Sequence, residues 1–225
     1  MNKNYPTMFV VTALFYLAIL GFAPFMGQFL PKTLPIALLF LWAFNALEGK
    51  VRSLMLAAIG FSAIGDISLT FAGDTAFVIG LSAFLLAHVF YTVLYSGYRS
   101  KKLNPLAGGA AIVLIGYAGL MANFLLPHTD NLALPVALYL SVITLMGIFV
   151  LISRLPTWVV FGALSFVLSD SLLAYSLFVS RFSLDGHAVM VTYYIAQFAM
   201  LKGMIEHQLN EPLSEETAIN SHSKS

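Results

Sequence analysis

Apolar runs of about twenty residues, the length that crosses a bilayer as a helix, alternate with short polar connections along almost the whole chain. This pattern predicts eight helices, over Thr7–Met26, Lys32–Leu47, Arg52–Ala72, Thr75–Gly97, Pro105–Leu126, Leu132–Ile152, Thr157–Val179 and Gly186–His207. The connections hold most of the charges, among them Glu48-Gly49-Lys50, Asp74, Arg99-Ser100-Lys101-Lys102, Asp130, Arg154 and Arg181. After Asn210 the apolar pattern stops, and residues 210–225 read as a disordered polar tail.

Two of the runs are interrupted by a carboxylate. Ala57–Phe71, AAIGFSAIGDISLTF, holds Asp66, and Val159–Tyr175, VVFGALSFVLSDSLLAY, holds Asp170. An ionised Asp at the middle of a span costs a few kcal/mol, so it is expected to face the bundle interior, find partners and mark a functional site.

Composition sharpens the class. Of 225 residues 60% are hydrophobic and only 9% charged, with a mean hydropathy of +0.89. No soluble domain of this size hides that much apolar surface, so the chain reads as an all-α, polytopic membrane protein. A net charge of +1 argues against a nucleic-acid partner, and the lack of Cys removes disulfides, thiolate metal sites and a Cys nucleophile. The first run has no convincing cleavage site before Pro24 and is read as a retained helix. Nine of the eleven Lys and Arg residues lie on or nearest one side, against Lys32 and Arg181 on the other. That bias places both termini in the cytoplasm, most naturally of a bacterial inner membrane.

The chain also echoes itself. Leu34-Pro35-Ile36-Ala37-Leu38 opens the second helix and Leu134-Pro135-Val136-Ala137-Leu138 the sixth; Leu30-Pro31 is matched by Leu126-Pro127, and Gly65-Asp66-x-x-Leu69 by Ser169-Asp170-x-x-Leu173. Residues 7–97 and 105–208 therefore read as two four-helix repeats within one transmembrane domain, 1–209. An even number of helices per repeat makes them parallel, about an axis near the membrane normal.

Further polar residues fall on shared helix faces. Ser62, Asp66 and Thr70 are spaced at i, i+4, i+8, and Phe84, His88, Tyr91 and Tyr95 follow four, three and four apart. Tyr193, Tyr194 and Gln197 lie in the eighth helix, and Lys32 opens the second. At ~1.5 Å per residue both Asp residues sit roughly 10 Å below the outer face, at the level of the two Tyr and under Lys32, with His88 deeper. Each also has a plainer reading. His88 can be a hydrogen-bonded core residue, the tyrosines of the fourth helix packing or an interfacial belt, Lys32 a snorkelling side chain and Gln197 interhelical glue. No G-x-S-x-G elbow, H-E-x-x-H pair or phosphate loop occurs, and only His88 of five His is well inside a span.

Taken in order, Lys32 with Leu34-Pro35, Gly65-Asp66-x-x-Leu69, Phe84-x-x-Ala87-His88-x-x-Tyr91, Gly162-Ala163-x-x-Phe166-x-x-Ser169-Asp170 and Tyr193-Tyr194-x-Ala196-Gln197 resemble the YhhN-like lysoplasmalogenase family of eight-helix membrane proteins. Thr33 departs from a Lys-Pro-Leu sequence expected there. The resemblance implies a hydrolase for the vinyl ether bond of lysoplasmenylethanolamine or lysoplasmenylcholine, a lysophospholipid substrate, and no metal or organic cofactor. For that chemistry the two buried acids, Asp66 and Asp170, are expected to be catalytic, one as proton donor and one steadying the cation or activating water, with His88, Tyr194 and Gln197 orienting them. Lys32, Tyr91, Ser169, Tyr193, Tyr194 and Gln197 would bind substrate, Lys32 at its phosphate. The competing class is a proton-coupled transporter or lipid-binding membrane protein, which parallel repeats with internal acids also describe.

Overall fold

A computed structural model describes residues 4–102 and 104–210. The expected tail lies outside them, except that Asn210 ends the last helix. The described residues form eight long helices: α1 (Tyr5–Ile19), α2 (Phe29–Ala46), α3 (Gly49–Ser68), α4 (Asp74–Ser96), α5 (Pro105–Leu125), α6 (Ala133–Leu151), α7 (Thr157–Phe178) and α8 (Asp185–Asn210). With short 3-10 turns appended to α1, α5 and α6, all eight are long and apolar enough to cross a membrane. Large apolar side chains such as Val11, Phe15, Ile112, Val113 and Leu138 face outward. The chain is an integral membrane protein.

Helix boundaries differ from the sequence expectation where Pro and Gly intervene. The first helix stops at Ile19 and not Met26, because Ala23 is extended (φ −69°, ψ 148°), the conformation that the ring of Pro24 favours in the residue before it. α2 starts at Phe29, so Pro31 occupies its first turn and Pro35 lies inside it. α3 ends at Ser68, short of Ala72, and the chain turns at Gly73, whose φ of 111° suits a residue without a side chain.

The closest packing is within two antiparallel pairs, α3 with α4 and α7 with α8. A Cβ on Gly162 would lie 2.7 Å from the backbone N of Met200, and one on Gly203 2.9 Å from that of Val159. Small residues thus let α7 and α8 approach backbone to backbone, the usual device where lipid removes the hydrophobic drive to pack. Contacts of α4 with α6 and of α2 with α8 join the two halves, while α1 packs mainly on α2 and α5 mainly on α6. α8 is the central helix, with 61% of its most apolar window buried, against 17% for α1 and for α5. At the end holding Glu48 and Arg154 the connections are tied together, Ser100 N donating to Ile152 O and Arg154 N to Tyr98 O. The opposite end is open, and the site lies there.

Candidate active site

Between the last turns of α3 and α7 and the first turns of α2, α4 and α8 lies a cavity of about 660 Å³. Its polar walls include Lys32, Asp66, Ser169, Asp170 and Tyr193, and its rim Asp74, Arg181 and Asp185. Both acids expected from the sequence therefore reach one space, although 104 residues separate them.

Asp66 is 2% exposed and held from two helices. Lys32 Nζ of α2 stands 3.3 Å from Oδ1 and donates to the Asp66 carbonyl at 3.1 Å. Tyr193 of α8 donates to Oδ2 at 2.7 Å. Lys32 is itself fixed from behind, its carbonyl accepting from Tyr194 Oη at 2.6 Å, and Thr70 Oγ1 also donates to the Asp66 carbonyl. A buried charge needs such pairing and hydrogen bonding to be tolerated.

Asp170 is held differently. Tyr139 of α6 donates to Oδ2, and His88 Nε2 of α4 stands 3.5 Å from the same oxygen. His88 Nδ1 lies 2.6 Å from the Phe84 carbonyl, an acceptor, so the ring proton is assigned to Nδ1 and the Nε2 lone pair faces Asp170. Phe84, Phe166, Tyr193 and His88 stack edge to face around the two acids, Phe166 touching both the His88 and the Tyr193 rings.

Of the nine candidates from the sequence, Lys32, Asp66, Ser169, Asp170 and Tyr193 line the cavity. His88 and Tyr194 stand behind them as partners. Tyr91 and Gln197 do not reach the cavity: Tyr91 Oη donates to Gln197 Oε1 at 2.7 Å and Gln197 Nε2 to Ser62 Oγ at 3.0 Å. This fully buried chain of bonds ties α4, α8 and α3 together. Ser169 uses its hydroxyl to donate to Val189 O at 3.0 Å, another α7–α8 tie. The residue that sequence reasoning missed is Tyr139; its only signal was to be the sole Tyr of α6. The rim pair was missed as well. Arg181 Nε stands 2.9 Å from Asp185 Oδ2, which also accepts from Ser176. Among the described residues, no three His, Asp or Glu side chains come together as a ligand set.

The class defined by this fold and site is an integral membrane protein with eight helices among its described residues and two acids, Asp66 buried and Asp170 partly so, on one polar cavity. The chain belongs to the YhhN family, which it matches over residues 27–204. A relative from Mycobacterium tuberculosis (strain CDC 1551 / Oshkosh) named lysoplasmalogenase is 37% identical over 64% of this chain, and the match spans 55% of that relative's length. Lysoplasmalogenase TMEM86B of Homo sapiens is 32% identical over 75% of this chain and 71% of its own. The Rattus norvegicus protein of the same name is 33% identical over 72% and 65% respectively. No solved structure gives a significant match.

Proposed function

We propose that this protein is a lysoplasmalogenase, hydrolysing the vinyl ether bond of lysoplasmenylethanolamine or lysoplasmenylcholine. The products are a fatty aldehyde and glycerophosphoethanolamine or glycerophosphocholine. The observation that carries the reading is the unequal partnering of two acids on one cavity, in a chain whose relatives bear that enzyme's name. Vinyl ethers hydrolyse by protonation of the β-carbon. Water then adds to the resulting oxocarbenium carbon, and the hemiacetal so formed collapses to aldehyde and alcohol. The reaction therefore needs one carboxylic acid and one carboxylate, the division of labour that glycosidases use on a similar cation.

The partners divide the roles. Asp66, against the Lys32 ammonium, is the carboxylate that steadies the cation and takes a proton from the attacking water. Asp170, facing a phenol and an imidazole and no cation, is the acid, and His88, anchored through Nδ1 to the Phe84 carbonyl, packs beside it and keeps it in place. Tyr139 and Tyr193 fix the two carboxyls. Lys32, which the sequence places at the phosphate, has Asp66 as its first partner; Arg181 on the rim is the cation that meets the headgroup. Tyr91 and Gln197 position the helices that carry these groups.

We also read α1–α4 and α5–α8 as two parallel repeats. The matched pairings α3–α4 and α7–α8 support this, as do α2–α8 and α4–α6. So does a correspondence at the site. Each Asp, on the third helix of its half, meets one partner from the second helix of that half and one from the fourth helix of the other. The basic-residue bias supports cytoplasmic termini in a bacterial inner membrane.

The test is aldehyde release by the purified protein from lysoplasmenylethanolamine or lysoplasmenylcholine, with the saturated alkyl-ether analogue as control. The analogue, having no double bond to protonate, should be left intact. Absence of aldehyde, together with solute uptake by reconstituted vesicles, would instead make the protein a carrier.

A further inference from the structure

Beside the polar cavity runs a second, narrow space of about 60 Å³ between α4, α5, α6 and α7. Its walls are apolar nearly throughout, with Leu114, Ala118 and Met121 from α5, Leu140 and Ile143 from α6, and Ala174 from α7. It meets the polar cavity along a shared wall. Leu69, Phe77, Phe84, Leu173 and Leu177 border both spaces, and so does one ionisable side chain, Asp170. Polar cavity and apolar slot are thus neighbours, with Asp170 in the wall between them.

We propose that this slot is the binding site for the alkenyl chain of the substrate, and that its length and width set chain-length preference. The inference rests on the lysoplasmalogenase reading and names how the lipid lies in the site. A lysolipid has one headgroup and one chain joined at the reacting bond. Its glycerophospho end requires the polar cavity with Arg181 on its rim, and its chain requires an apolar path leading away from that cavity. The shared wall places the junction at Asp170.

The regiochemistry agrees with the division of roles between the acids. The carbon to be protonated is the β-carbon, one atom further along the chain than the carbon bonded to oxygen. An acid at the mouth of the chain slot faces that atom. The carbon that water attacks lies one bond toward the headgroup, in the polar cavity that Asp66 and Lys32 line. After addition the C–O bond breaks, the glycerol oxygen receives a proton and the hemiacetal hydroxyl gives one up, so the aldehyde stays in the slot while the polar product leaves through the cavity. α5 buries little of itself among the other helices, and a slot of about 60 Å³ takes up a whole chain only by moving this wall outward.

The experiment compares kcat/KM for lysoplasmenylethanolamines with short and long alkenyl chains in the full-length protein. Ala174→Phe puts a ring into the slot, and Met121→Ala widens it. Each methylene kept out of an apolar site costs about fourfold in affinity, so Ala174→Phe should lower the long-to-short ratio at least ~10-fold, and Met121→Ala should move it the other way. An unchanged ratio in both folded variants overturns the proposal. If Ala174→Phe does not fold, the Met121→Ala ratio decides alone. A second readout is independent of turnover. A lysophosphatidylethanolamine analogue with a non-cleavable alkyl-ether chain carrying a terminal diazirine should crosslink to α4, α5, α6 or α7. Labelling confined to α1, α2, α3 or α8 overturns the slot. Crosslinking to the slot helices without aldehyde from any vinyl ether would keep the slot and reject the proposed reaction.

Discussion

At the scale of single residues the proposed mechanism depends on two carboxyls kept unalike by their neighbours. Removing either should abolish its role without disturbing the bundle, because Asn keeps the shape and can still bond to Tyr193 or Tyr139. Asp66→Asn and Asp170→Asn are each expected to lower kcat at least ~10²-fold, the lower range for loss of general acid–base catalysis. Detergent-purified variants that elute and melt like the wild type but retain its turnover would rule out the two-acid mechanism. Lys32 gives a finer test. A phosphate ligand acts on uniform binding and shows in KM, whereas a counter-ion of Asp66 shows in kcat. Its Nζ 3.3 Å from Oδ1 leads us to expect that Lys32→Met lowers kcat by more than it raises KM. The sequence alone suggested the reverse, since its pattern shows that Lys32 lies at the outer surface but not that the side chain turns inward onto α3.

At the scale of helices, what the sequence made legible was what travels with local pattern. Eight apolar runs gave eight helices, and Asp66, Asp170, Lys32 and Tyr193 proved to share a cavity because depth follows directly from rise per residue. What it could not show was rotation about each helix axis relative to the neighbours. Tyr139 escaped notice for that reason, since nothing in the sequence of α6 marks the side of the helix that faces Asp170. Tyr91 and Gln197 share faces with candidate residues, yet lie one level too deep to reach the cavity. Helix ends shifted at Pro24 and Gly73, where backbone limits outweigh apolar character. The α7–α8 contact is the element on which site geometry rests, since Ser169, Asp170 and Tyr193 all come from it. Gly162→Ala would set a methyl 2.7 Å from Met200 N and 2.8 Å from Ala196 O, backbone atoms that cannot swing aside. Overpacking of this kind costs about 1–3 kcal/mol. Thermal unfolding in detergent should show that loss for Gly162→Ala, while Gly116→Ala inside α5, where nothing lies within 4 Å, should be at least as stable as the wild type, Ala being the better helix former.

At the scale of the whole molecule the two ends are unlike. One is closed by the tied connections around Ser100 and Arg154 and carries most of the basic residues. The other opens into the polar cavity between the loops that follow α3 and α7. If basic residues face the cytoplasm, the cavity faces outward, and headgroup products leave on the side away from the cytoplasm. The orientation is open to direct measurement, because the chain has no Cys and single thiols can be introduced at will. Ser183, in the loop before α8, and Lys101, at the basic end, are both exposed. A membrane-impermeant maleimide applied to intact spheroplasts should label Ser183→Cys at once, and Lys101→Cys only after the membrane is permeabilised. Labelling in the opposite order would turn the molecule over. The cavity would then open to the cytoplasm, where lysolipid would be drawn from the inner leaflet and the glycerophospho product released into the cell. The same two variants carry their own control for function, since neither residue lines the polar cavity, and aldehyde release by both should remain that of the parent chain.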